Sequence, residues 1–120
     1  MKDTAISQMF KAFSDPTRLR IMHLLLDGEW CVGDLVELLE VPQPTASRHL
    51  RSLRDAEMVT VRRAGKWSFY RLTPATSGFH KRLLECLSSC FGEVPELRND
   101  AKNARRLRKS GGCCASTSRS

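Results

Sequence analysis

The sequence predicts a mainly α-helical domain that carries one two-stranded β-hairpin, and three observations indicate this fold class. Apolar residues recur at helical spacing through residues 4–56 and again through residues 79–91. Pro42 and Pro44 mark a tight turn between two short helical patterns. Two strand patterns joined at Gly65 and Lys66 follow. The predicted element order is therefore α-α-α-α-β-β-α, which is the order of a winged helix-turn-helix.

The size and charge of the chain limit the classes of protein to which it can belong. Its 120 residues fit one domain with little apolar area to spare, so we expect a homodimer that buries more. Lys and Arg outnumber Asp and Glu by 20 to 13, and the formal charge of +7 suits a partner that carries phosphates. Because the sequence shows neither a phosphate-cradling glycine motif nor a Ser/His/Asp arrangement, we do not expect an enzyme.

Hydropathy and cysteine content predict the compartment. The chain has no apolar stretch of membrane-spanning length, and residues 1–13 lack the apolar segment of a signal peptide. We therefore expect a cytoplasmic protein without a membrane partner. In that reducing compartment, the five cysteines are expected to be thiols, metal ligands or redox sensors rather than a structural disulfide framework.

The first two helices are predicted from apolar spacing and a capping signal. Residues 4–13 carry an apolar stripe that suits a core or a subunit interface. Asp15 is a preferred N-cap, Pro16 suits the first turn of the next helix, and Gly28 ends that helix. The stripe of the first helix consists of Ile6, Met9, Phe10 and Phe13.

The next two helices form the predicted helix-turn-helix. The first runs from Cys31 to Leu39, and the second runs from about Pro44 to Ala56. Three apolar residues of the second helix are predicted to face the core, namely Ala46, Leu50 and Leu53. The opposite side is polar or basic and consists of Gln43, Thr45, Ser47, Arg48, His49 and Arg51.

The remaining residues predict a wing, a last helix and a tail. Residues 59–64 and 67–72 form the hairpin, and a hairpin after the second helix of a helix-turn-helix is a wing. In residues 79–91 a helix-pairing seam predicts a dimer interface, with the spacing Phe79, Leu83, Cys86 and Cys90. We thus predict a DNA-binding and dimerisation domain over residues 1–94 and a basic, flexible tail over residues 95–120.

The polar side of the second helix has the composition that DNA recognition needs. Short polar residues near a helix N-terminus can approach base edges, and an arginine such as Arg48 can bind guanine in a bidentate fork. A solvated helix face or a protein-binding winged helix is the alternative. The basic wing that follows favours double-stranded DNA as the partner. The predicted contacts are Gln43, Thr45, Ser47, Arg48, His49 and Arg51 of the helix and Arg62, Arg63 and Lys66 of the wing.

These same segments carry a resemblance to a known family. AFSDPTRLRIMHLLLDGEWCVGDL and VPQPTASRHLRSLRDAEMVTVRRAGKWSFYRL resemble the ArsR/SmtB family of dimeric metal-responsive repressors over residues 5–92. The resemblance implies a homodimer on a palindromic operator, released when an inducer binds, with no permanent cofactor.

The cysteines are the candidate inducer ligands. The resemblance implies a Cys-Val-Cys site in arsenic-sensing members, and Cys31-Val32-Gly33 keeps its first thiol. Because arsenite prefers three thiolates, Cys31 needs partners, and the site we favour joins it to Cys113 and Cys114. Arsenite or antimonite is the expected inducer, with cadmium or lead as alternatives. Cys86 and Cys90, four residues apart on one helical side, form the competing site.

Other roles for the thiols stay open at this point. A redox or persulfide sensor would pair Cys31 with Cys90, and small buried thiols also serve simply as packing residues. Zinc sensing is disfavoured because the last helix has no His pair at metal-binding spacing, and His23 lies in an apolar helix as a core residue would.

Overall fold

The computed structural model describes residues 3–89 and 93–111. The predicted winged helix-turn-helix is confirmed, and β1 and α6 add to it. None of the helices in the described ranges is long and apolar enough to cross a membrane. In chain order the elements are α1 (Asp3–Phe13), α2 (Pro16–Leu25), β1 (Trp30–Cys31), α3 (Val32–Leu39), α4 (Gln43–Asp55), β2 (Val59–Ala64), β3 (Trp67–Leu72), α5 (Gly78–Ser89) and α6 (Pro95–Ser110).

Helix α2 begins where its capping signal predicts. Oδ1 of Asp15 accepts hydrogen bonds from the backbone N–H groups of Thr17 at 2.8 Å and Arg18 at 3.1 Å. Pro16 occupies the first turn, where its missing N–H leaves no helical bond unmade. After the helix, Gly28 adopts a φ of 123°, which L side chains rarely allow, so the chain can turn sharply into β1.

The core lies between α2, α3 and α4 and is closed by the sheet. Trp30 of β1 is 1% exposed, and its Nε1 donates to the carbonyl of Leu24 at 3.2 Å, so its polar atom is satisfied. Trp30 thereby joins β1 to the end of α2. The other large, fully buried apolar side chains include Ile21, Met22, Leu35, Leu50, Leu53 and Met58.

The sheet is antiparallel and has three strands in the order β1-β3-β2. The predicted hairpin is confirmed, since β2 and β3 pair from Val59↔Leu72 to Ala64↔Trp67 around Gly65, whose φ is 62°. Strand β1 was not predicted, and it pairs Cys31 with Phe69 on the other edge of β3. Two residues are too few to show the alternation that marks a strand.

Helix α5 confirms the predicted last helix as far as Ser89. The remaining predicted residues, Cys90 included, lie outside the described ranges. Leu87 is buried, whereas Phe79, Leu83 and Cys86 are half-buried. The ring of Phe79 lies 5.5 Å from that of Phe10 on α1, at an interplanar angle of 66°. An apolar face is thus shared by α1 and α5.

The prediction of a flexible tail from residue 95 is wrong for residues 95–110, which form α6. Leu97 and Ala104 are 4% and 2% exposed, and Leu107 packs against the core. Few positions of this helix are apolar and many are charged, so its stripe is narrow and easily read as a solvated segment.

An ion pair between Arg20 of α2 and Asp100 of α6 adds to the few apolar contacts that hold α6. Asp100, 2% exposed, accepts two hydrogen bonds from Arg20 of α2, from Nε at 2.8 Å and from Nη2 at 2.9 Å. Nη1 of Arg20 also donates to the carbonyl of Leu39 at 3.3 Å. Arg20 therefore joins α6 to the end of α3.

Candidate nucleic-acid interface and thiol site

Helix α4 buries one side and exposes the other. Its three inward residues, Ala46, Leu50 and Leu53, have an exposure of 0%, as the sequence predicted. The turn from α3 is tight because Glu40 adopts a left-handed φ of 56° and caps α3. Because the buried side fixes the helix, the opposite side presents its residues at defined positions. Of the predicted DNA contacts, Gln43, Ser47, Arg48 and Arg51 are exposed, and Thr45 is half-buried.

The exposed side of α4 is chemically suited to an anion. Its first turn contains no acidic residue, and its N-cap, Pro42, provides no side-chain hydrogen bond. The helix dipole therefore adds partial positive charge to that of Arg48 and Arg51. Short polar residues at the N-terminus with longer cations behind them are typical of a recognition helix in the major groove.

His49 does not lie on this exposed side, contrary to the prediction. Its side chain is 14% exposed, and its Nδ1 lies 3.9 Å from Oδ1 of Asp15. The backbone hydrogen bonds that cap α2 and the His49 side chain keep the pKa of Asp15 below its ordinary value, although burial of the carboxyl opposes them. His49 therefore belongs to the contact between α4 and the start of α2.

The three predicted wing contacts have different environments. Arg62 is hydrogen-bonded to the carboxylate of Glu29 and lies over the Phe69 ring, 4.7 Å from its centroid. Arg63 donates to Oγ of Ser68 at 2.9 Å, and the Lys66 ammonium lies 5.2 Å from the centroid of the Trp67 ring at the hairpin tip. All three are exposed, but Arg62 already holds an anionic group.

The carboxylate of Glu29 lies among arginines. Its hydrogen bond to Arg62 is the main cause that lowers its pKa; partial burial opposes the shift, and the charges of Arg62, Arg71 and Arg108 reinforce it. Glu29 is therefore ionised at neutral pH.

Cys31 lies at the junction of the sheet and the helix-turn-helix. It is 1% exposed, pairs with Phe69 in the sheet and is the N-cap of α3, with its Sγ accepting from the N–H of Asp34 at 3.5 Å. In the reduced protein, the positive end of the helix dipole would favour the thiolate form of this sulfur. Cys31 takes part in a disulfide bond.

The structure describes two of the five cysteines, Cys31 and Cys86. Cys86 is half-buried on α5, while Cys90, Cys113 and Cys114 lie outside the described residues. Within residues 3–89 and 93–111 no three His, Cys, Asp or Glu side chains lie where they could share a metal ion. Both predicted thiol sites thus depend on cysteines outside these ranges.

The C-terminal end of α6 lies against the residues that precede Cys31. The guanidinium carbon of Arg108 is 3.7 Å from the centroid of the Trp30 ring, and its Nη2 donates to the carbonyl of Glu29 at 3.1 Å. Gly111 then ends the helix with a left-handed φ of 98°. The end of α6 is therefore fixed beside β1.

Sequence reasoning missed three residues of this region: Glu29, Asp100 and Arg108. For α6 a signal was present, because Leu97, Asp100, Ala104 and Leu107 recur at helical spacing on one side. For Glu29 there was no local signal, because its partner is 33 residues away.

A helix-turn-helix followed by a hairpin wing, with a basic polar side on its second helix, defines a winged helix-turn-helix protein. The sequence model of the family described as "Bacterial regulatory protein, arsR family" matches residues 15–61. The arsenical resistance operon repressor of Escherichia coli K12 is 37% identical over 105 residues, which cover 87% of this chain and 88% of that protein. The chain therefore belongs to the arsR family of bacterial regulatory proteins, as its resemblance implied.

Further relatives and solved structures agree. The arsenical resistance operon repressor of Bacillus subtilis 168 is 47% identical over 88 residues, covering 72% of this chain and 84% of that protein. HlyU from Vibrio cholerae N16961 superposes with a TM-score of 0.63 at 34% identity, covering 72% of this chain and 94% of that one. The homodimeric winged helix-turn-helix DNA-binding domain Mb0332 from Mycobacterium bovis gives 0.62 at 25% identity, covering 79% and 91%.

Proposed function

We propose that the chain is a cytoplasmic, homodimeric repressor that binds operator DNA through α4 and the wing and leaves it when a thiol-binding inducer is present. The observation that carries the proposal is the exposed polar side of α4, which is held on a fully buried base and carries Arg48 and Arg51. Two similar proteins are named arsenical resistance operon repressors, which supports repression as the activity.

The apolar face of α1 and α5 supports a dimer. Phe10 is 55% exposed although it is a large aromatic residue, and it stacks edge to face on Phe79. Leu83 and Cys86 are half-buried on the same helix as Phe79. A second copy of the chain would cover this face, and two copies related by a two-fold axis suit a palindromic operator. The similar domain Mb0332 is described as homodimeric.

We propose that Cys31, Cys113 and Cys114 form the inducer site when the protein is reduced. Arg108 holds the end of α6 against Glu29 and Trp30, directly before Cys31. Cys113 follows Gly111 by two residues, so covalent geometry keeps their Cα atoms within about 7 Å. Three thiolates are a suitable set for arsenite or antimonite, and also for cadmium or lead. Bound at the N-terminus of α3, such an inducer would disturb the helix-turn-helix.

The two competing proposals for the thiol site use different cysteines. A site of Cys86 and Cys90 would lie on α5, beside the proposed dimer face. A redox or persulfide switch would use Cys31 with Cys90. Each names a thiol that the favoured site does not use, so substitution separates them.

DNA binding is tested with Arg48→Ala and a matched control, Arg82→Ala. Both remove one exposed arginine, but Arg82 lies on α5. In a fluorescence anisotropy titration on a duplex obtained by in vitro selection, Arg48→Ala should lose about 1–3 kcal/mol of binding free energy and relax the sequence preference. Arg82→Ala should bind like the wild type. Equal affinities for the wild type and Arg48→Ala would rule out this role for α4.

The inducer site is tested on the reduced dimer bound to that duplex. Arsenite, antimonite, cadmium, lead and a persulfide donor are titrated, and release of the DNA is followed. We expect arsenite to release the wild type, and Cys31→Ser and the double variant Cys113→Ser/Cys114→Ser to remain bound. Cys86→Ser is the control and should respond normally. Release that is lost in Cys86→Ser and kept in Cys31→Ser would move the site to α5.

A further inference from the structure

Glu29 and Arg62 form an ion pair between the residue before β1 and the wing. Nη2 and Nε of Arg62 both contact the carboxylate, the latter at 3.3 Å. The two side chains are 33% and 49% exposed, so the pair lies at the surface. A competing anion from solvent can therefore reach the Arg62 guanidinium.

The backbone of Glu29 is held in place independently of Arg62. The backbone carbonyl of Glu29 accepts from Arg108, and Trp30, the next residue, is buried in the core under the same guanidinium. The charges of Arg71 and Arg108 also favour its ionised form. The negative charge of Glu29 is therefore carried on a fixed segment of backbone beside the wing.

We propose that Glu29 occupies, in the free protein, the position on Arg62 that a DNA phosphate takes in the complex, and so weakens the hold of the wing on DNA. Carboxylate and phosphate oxygens accept the same pair of guanidinium N–H bonds, so the two groups compete. Once displaced, the carboxylate would also face the negative backbone. The inference rests on the proposed DNA binding.

The effect falls on the sequence-independent part of recognition. Phosphate contacts position a protein on DNA and carry no base information, which on this proposal comes from α4. Arg63, by contrast, donates to the neutral hydroxyl of Ser68. On this proposal, Glu29 lowers the affinity for all DNA sequences and has less effect on the ratio between the affinities for operator and for other DNA.

Glu29→Gln tests the inference, because it removes the charge and keeps the size of the side chain. Binding is measured at a series of KCl concentrations, on the selected duplex and on a scrambled one. The variant should bind both duplexes more tightly than the wild type, and one added phosphate contact should steepen the slope of log K against log salt by about 0.9. Its advantage should grow about 3.5-fold when the salt concentration falls fourfold.

Two further variants decide whether Arg62 is responsible. Glu85→Gln makes the same charge change at the exposed Arg82–Glu85 pair of α5, where the two groups are 3.4 Å apart, and should bind like the wild type. In the double variant Glu29→Gln/Arg62→Ala the gain should disappear relative to Arg62→Ala. An affinity of Glu29→Gln equal to or below that of the wild type, an equal gain in Glu85→Gln, or a gain that persists without Arg62 would overturn the inference.

Failure of the proposed function is visible separately. In that case in vitro selection with the wild-type protein would enrich no duplex, before any variant is compared. A wild type that binds its selected duplex while Glu29→Gln gains nothing would reject the role of Glu29 alone.

Discussion

Replacing Asp100 by Ala should loosen α6 without unfolding the winged helix. The substitution removes two charge-assisted hydrogen bonds, at 2.8 and 2.9 Å, from a carboxylate whose side chain is 3% exposed. Each such bond contributes about 1.5–3 kcal/mol. Two such bonds would total about 3–6 kcal/mol. Because Arg20 is 24% exposed, water can solvate its charge again, and we expect a loss at or somewhat below the lower end of that total, about 2–3 kcal/mol.

Native-state hydrogen exchange measures this loss where it occurs. A loss of 2–3 kcal/mol corresponds to an acceleration of about 30- to 160-fold for the amides of α6 that exchange by local opening. Urea unfolding, followed by circular dichroism, gives the global effect. Glu85→Gln is the control, since it breaks an exposed ion pair and should cost under about 0.5 kcal/mol. Unchanged protection of α6 in Asp100→Ala would refute the view that the Arg20–Asp100 pair anchors this helix.

Three further predictions concern the stability of the domain. Burial lowers the pKa of His80 below the ordinary value of 6.5. Burial also lowers the pKa of His23, although the charge of Asp100 opposes this shift. As the pH falls, both histidines are therefore protonated at a higher pH in the unfolded chain than in the folded one. Stability should therefore fall as the pH drops below about 6.5, and a thermal melting series should show a flatter pH profile for His80→Asn, whose Oδ1 can still accept from Thr76. Asp15→Ala should lower the stability measured in urea by about 1 kcal/mol, through loss of the α2 cap; an unchanged midpoint would contradict that role. Gly65→Ala should cost about 1 kcal/mol because of the positive φ and not because of a clash, since its added Cβ would meet no atom within 4 Å; Gly65→Asn should therefore lose less, and equal losses would argue against this cause.

The elements that sequence predicts well are those whose signal is local. Residues 59–64 and 67–72 alternate and flank a glycine turn, so both strands were located to the residue. The buried side of α4 follows from the spacing of Ala46, Leu50 and Leu53. In each case the residues that decide the structure are neighbours in sequence, and no knowledge of the remaining fold is needed.

The elements that sequence missed depend on distant partners. Helix α6 is held by Asp100, whose partner Arg20 is 80 residues away, and a buried carboxylate looks in sequence like any exposed one. His49 was predicted to face DNA because it lies among polar residues, but its side chain is mostly buried and its Nδ1 lies 3.9 Å from the carboxylate of Asp15. Which of several polar residues points outward is decided by tertiary contacts that composition does not encode.

If reduced Cys31 binds the inducer as proposed, its position explains how a ligand on the N-cap of α3 could act on the helix-turn-helix. Its Sγ caps α3, while its backbone pairs with Phe69 of the wing strand β3. A ligand that drew this sulfur toward the end of α6 would disturb the first turn of α3 and the edge of the sheet together. Because protein cores are close-packed, a shift of α3 would require α4, which packs on it, to move as well. Packing that opposed this movement would lower the affinity for the inducer.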